Sequence, residues 1–153
     1  MCLTVDKRFH GSAPFYPLYA EHDMFVYKIL KREKEDNEIT YNTPFQHMKV
    51  KFGFEYSEPD FGIDKLSSNG QVSKGYHAWA EKSTAKRACS YRDDENVFVA
   101  VIPQGAKYFV GTEGDIVSER LIMLNKEHVW PWEKKKTLMN SDTAKVYNFN
   151  WNI

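Results

Sequence analysis

The chain has 153 residues, 42% of them hydrophobic and 27% charged, with 21 basic side chains balanced by 21 acidic ones. A formal net charge of zero leaves no global field to gather phosphate backbones or anionic lipid, so neither nucleic acid nor a membrane is an expected partner. A chain of this length suits a single domain, 1–153, that buries roughly two-thirds of its unfolded surface without a metal or disulfide. The two cysteines, Cys2 and Cys89, form no CxxC pair and point to a reducing, cytoplasmic setting.

Taken in chain order, "MCLTVDKRF" has charges that interrupt it before an apolar core forms, so it does not read as a secretory signal. No later stretch reaches the roughly 20 apolar residues of a membrane span. The dominant pattern is period two, the mark of half-buried strands. In "MFVYKILKR" Phe25, Tyr27 and Ile29 share one face, and the polar run "EKEDNE" supplies a turn before "ITY". "HMKVKFGFEY" alternates most cleanly, with Met48, Val50, Phe52 and Phe54 set against His47, Lys49, Lys51 and Gly53, and predicts a strand. Residues 57–70 are rich in turn formers and read as a long surface loop, a candidate lid. "GYHAW" predicts a short strand and "STAKRACSY" a short helix capped by Ser83 or Thr84, with Ala85, Ala88 and Cys89 toward the core.

Beyond the helix, "NVFVAVIP" is apolar on both faces, which predicts a central strand covered by a helix on one side and ended by Pro103. "AKYFV" and "IVSERLIML" follow as strands, separated by the turn "GTEGD". "HVWPWEKKKT" sets a short basic run beside aromatics, and reads as a solvated loop rather than a single-strand site. In "AKVYNFNWNI" the residues Tyr147, Phe149 and Trp151 alternate on one face of a late strand or arm, which packs on the body or serves self-association. The expected architecture is α+β: one mainly antiparallel, strongly curved sheet of about six or seven strands, with one or two short helices packed on it.

Motifs for phosphate loops, dinucleotide folds, zinc proteases, serine hydrolases and calcium loops are all missing. The five histidines, His10, His22, His47, His77 and His128, show no i, i+2 or i, i+4 pairing, so no metal is expected. Cys2 becomes an N-terminal nucleophile only if Met1 is removed, and the chain is small for the four-layer hydrolases that use that device, so Cys2 is not expected to be catalytic. His77, between Tyr76 and Trp79 and after Gly75, has the pKa range for acid–base work, yet no orienting partner stands near it in sequence. It reads first as a structural histidine seating the helix, and second as part of a ligand pocket.

The succession "VYKIL", "TPF", "KGYHAW" and "VFVAVIPQGAKYFVGTEGDIVSERLIML" resembles a family of small uncharacterised phage and bacterial proteins over about residues 24–124. With no catalytic motif complete, the chain is expected to be a non-catalytic binding protein of phage or mobile-element type, acting in a host cytoplasm on a host protein, a virion component or a nucleotide-like ligand. More distantly, the layout is similar to the ADP-ribosyltransferase fold. This second resemblance implies NAD as cofactor, Lys28 near the position of that fold's first-strand Arg or His, and "GYHAW" in place of its Ser-Thr-Ser motif. It implies catalysis by Glu119, and ligand binding by Lys28, Tyr76, His77 and Trp79. Two functional readings stay open: a non-catalytic binding protein without cofactor, or a transferase-like enzyme or its degenerate descendant.

Overall fold

The computed structural model describes residues 3–43, 48–64, 70–88 and 95–125. Cys2, Cys89 and the 144–153 aromatic stripe lie outside the described residues, as does the basic run at 133–137. Within them the chain forms β1 (Leu3–Thr4), α1 (Lys7–His10), β2 (Leu18–Tyr19), β3 (Met24–Glu35), β4 (Glu38–Asn42), β5 (Glu55–Ser57) and β6 (Gln71–Val72). It continues through β7 (Tyr76–Trp79), α2 (Lys82–Ala88), β8 (Glu95–Ile102), β9 (Lys107–Val110), β10 (Asp115–Ser118) and β11 (Arg120–Met123).

Among the described residues eleven strands replace the expected six or seven, nine of them in one antiparallel sheet of order β2-β9-β10-β7-β3-β8-β11-β5, with β4 added to β3. β1 and β6 pair separately. Apolar side chains from β9 and from β11, far apart in that order, meet in one buried cluster: Tyr108 and Val110 with Leu121 and Met123, around Met24, Val26 and Ile102. Such a cluster forms only if the sheet curls around it. The curl stops short of a closed barrel; at Glu119 the chain passes from the β9 side of the sheet to the β5 side, its N–H donating to Lys107 O at 3.0 Å and its carbonyl accepting from Glu58 N–H at 2.8 Å.

Most of the alternation signals hold. β8 lies between β3 and β11 and is covered on both faces, with Ala100 and Ile102 in the larger cluster and Val99 and Val101 in another with Phe25. The β3–β4 hairpin closes on Asp36 and Asn37, both at positive φ (47° and 67°), the two-residue turn that matches strand twist. A third cluster, Leu3, Val5, Val72, Phe109 and Val117, lies beneath the short β1–β6 pair.

Three expectations change. Residues 48–54 form no ladder: Lys49 makes one isolated bridge to Asn42, and Val50 N–H reaches Tyr41 O at 2.8 Å. Met48, Val50 and Phe52 do pack inward, so the alternation reported burial; Gly53, at φ 77°, turns the chain before Phe54, which stays exposed. "IVSERLIML" is two strands, because the bend at Glu119 carries the chain from β10 to β11 on the far side of the curl. α2 starts at Lys82, placing Ser83 and Thr84 inside its first turn with Ala85 N–H bonded to Glu81 O at 3.1 Å; Ala85 is buried, whereas Ala88 is exposed. Of the 57–70 loop, residues 65–69 lie outside the described residues; in the rest, the Phe61 ring lies 5.5 Å from that of Phe109.

Candidate functional site

The sequence-singled residues gather around β7. Register sets His77 opposite Val117 and Tyr76 opposite Ser118 on β10, and Trp79 opposite both Asp115 and Tyr27. Alternation therefore sends His77 and Trp79 to one face and Tyr76 to the other, so "GYHAW" does not present three side chains to one ligand. Tyr76 leans on Tyr56, with ring centroids 5.9 Å apart; burial, with Glu58 and Tyr56 nearby, raises its phenol pKa.

β3 and β7 pair only at Tyr27 and Trp79. Beyond that point the strands part, and the Lys28 ammonium donates to the His77 carbonyl at 2.5 Å, supplying the donor that a neighbouring strand would have given. Desolvation of this amine lowers its pKa to about 8. The His77 ring is tied back to its own approach: Nε2 lies 3.3 Å from Ser73 O, which can only accept, so Nε2 carries the proton and Nδ1 is bare. That Nδ1 is buried without a hydrogen-bond partner. Burial, reinforced by the Lys28 charge and opposed by the Ser73 bond, lowers the imidazole pKa to about 4, so His77 is neutral at physiological pH. Ser73 is itself held by Asp64, whose Oδ1 accepts from the Ser73 hydroxyl at 2.8 Å.

Glu119 does not join them. Its Oε1 accepts from the Lys107 N–H at 3.0 Å, toward β9, whereas His77 lies on β7, on the opposite side of β10. Lys28 and His77 thus come together through one carbonyl, Trp79 shares the face of His77, and Tyr76 and Glu119 point elsewhere.

Reasoning from sequence missed three acidic groups, Asp6, Asp23 and Asp115. Asp6 caps α1 by accepting from Arg8 N–H at 2.9 Å and pairs with the Arg8 guanidinium at 2.7 Å, which holds its carboxyl below the usual range. Asp23 accepts from Gln104 N–H at 2.8 Å across the β8–β9 turn. Asp115 is buried beside Gly111, and burial raises its pKa. The signal for α1 was present, an Asp cap and a Gly stop bracketing "KRFH"; nothing local marks Asp23 or Asp115.

Among the described residues no group of three or more His, Cys, Asp and Glu is placed to hold a metal ion, and no helix is long and apolar enough to cross a membrane. No protein-family model, curated protein or solved structure matches the chain.

Proposed function

We propose that the chain is a non-catalytic binding protein of the phage or mobile-element type its sequence resembles, acting in the cytoplasm on a protein partner. One observation carries the reading: the polar groups offered for catalysis are committed to the protein's own backbone. The Lys28 ammonium donates to His77 O, the His77 ring donates to Ser73 O, and the Glu119 carboxylate accepts from Lys107 N–H. A transferase glutamate must instead be free to reach a ribose hydroxyl, with its helpers on the same side. The exposed aromatics Tyr16 (70%) and Tyr19 (57%), beside and on the edge strand β2, supply a contact surface of the kind partners use.

The competing reading, an ADP-ribosyltransferase-like enzyme using NAD, draws on the bare Nδ1 of His77, a buried acceptor that a ligand hydroxyl would satisfy. Incubation with NAD and ADP-ribose, read by thermal shift and by nicotinamide release, separates the two. The binding-protein reading expects neither a shift nor release, and expects retention of a host or virion protein that the Tyr16→Ser/Tyr19→Ser double variant loses. Nicotinamide release abolished by Glu119→Gln would overturn it.

A further inference from the structure

We propose that His10 is an acid-released latch that holds residues 7–17 against the outer edge of β9. The starting point is Val110, the last residue of β9. Gly111 N–H bonds inward to Asp115 O at 2.8 Å, so by the alternation of a strand the N–H and C=O of Val110 point outward, away from β10. A buried strand edge needs partners for both groups. The carbonyl has one in Asp6 N–H at 2.8 Å. The N–H finds no strand; it donates to His10 Nε2 at 2.9 Å.

The same ring places Nδ1 2.9 Å from Tyr16 O. A carbonyl oxygen only accepts and a backbone N–H only donates, so both bonds exist together in a single protonation state: neutral imidazole, proton on Nδ1, lone pair on Nε2. The ring also lies over Phe109, with centroids 5.2 Å apart. Adding the second proton puts an N–H on Nε2 facing the Val110 N–H, which breaks one bond and opposes two donors.

The surroundings set the direction. Desolvation lowers the His10 pKa, while the Tyr16 bond and the Asp6 charge act the other way. The charged groups beside the ring come from its own turn: Asp6 favours the imidazolium, and Arg8 offsets that carboxylate at 2.7 Å. β9 sets the Phe109 ring and the Val110 amide against it, the loop sets the Tyr16 carbonyl, and Asp115 of β10 sits behind Gly111.

Opening is local because both flanks are separately tied. Leu3 and Thr4 pair with Val72 and Gln71, and Thr112 N–H reaches Thr4 O at 3.0 Å. Leu18 and Tyr19 pair with Tyr108 and Lys107. Release therefore loosens the His10 turn and the loop carrying the exposed Tyr16, while Phe9 and Phe15 keep their packing against the two core clusters, and it uncovers one outward amide on β9, a place where another strand's carbonyl can bind.

The test is amide exchange across pH 7.5 to 4.5, corrected for the intrinsic rate, with ring-nitrogen NMR of His10 in the full chain. At pH 7.5 the proton is expected on Nδ1, with Val110 protected. As pH falls, Val110 protection is expected to drop about tenfold per unit wherever the open ring is charged and the closed ring is not, while β3 and β8 amides keep theirs. His10→Phe keeps a ring on Phe109 but lacks both nitrogens; its Val110 amide is expected to be weakly protected at every pH. Protection of Val110 in the native chain that stays flat across this range, or a proton on Nε2 at pH 7.5, would overturn the latch; this readout does not depend on the variant folding.

Discussion

The ammonium of Lys28 donates to the main-chain carbonyl of His77, bridging two strands that pair at a single residue position. This places a cation beside a histidine whose ring is already desolvated, and the Lys28 charge is one of the causes that keep that ring neutral. Lys28→Met removes the charge while retaining the apolar stem. The His77 pKa, followed by NMR titration, is expected to rise toward the ordinary value; an unchanged pKa would show that the two groups do not sense each other.

His77 also gives stability an acid dependence. Its folded pKa, about 4, lies below the ordinary 6.5. Above 6.5 neither state binds the proton and nothing is lost; between 6.5 and 4 the unfolded chain takes it up and the folded chain does not, so stability falls with pH through that window. The cost integrates to on the order of 2–3 kcal/mol. Urea unfolding at pH 7.5 and 4.5 is expected to show this excess loss in the native chain relative to His77→Gln. Equal losses would remove His77 from the acid response.

Glu119 acts as an acceptor for a backbone amide, and an amide side chain can do the same. Glu119→Gln is expected to be nearly neutral in stability, whereas Glu119→Ala leaves Lys107 N–H without its partner and costs about 1 kcal/mol. Denaturant midpoints compare the two. Equal destabilisation by both would mean that the charge, not the hydrogen bond, matters.

Gly75 precedes the strand that carries His77. It is buried at φ 137°, and an added Cβ would lie 2.6 Å from Val117 Cγ2 and 3.0 Å from Ser118 O. Gly75→Ala combines backbone strain with a clash against a packed strand and is expected to cost about 2–4 kcal/mol, measured by thermal or urea unfolding. A loss below 1 kcal/mol would mean that β7 and β10 can part without penalty.

Local pattern determined much of this protein. Local pattern marked β3, β7 and β9, and the double-sided apolar run of "VFVAVI" announced a central strand, which β8 is, between β3 and β11. It also announced the inward set Met48, Val50 and Phe52, because alternation records which side chains are buried. It does not record which backbone groups are paired, and so it predicted a strand at 48–54 where the chain only runs beside β4. Tertiary structure alone decided that the chain bends at Glu119 from the β9 side of the curled sheet to the β5 side, which split one apolar run into β10 and β11. It also decided the roles of Lys28, His10 and Glu119. A residue type states what a side chain can donate or accept; only the folded chain shows which backbone group lacks a strand partner, and these three side chains each meet such a group.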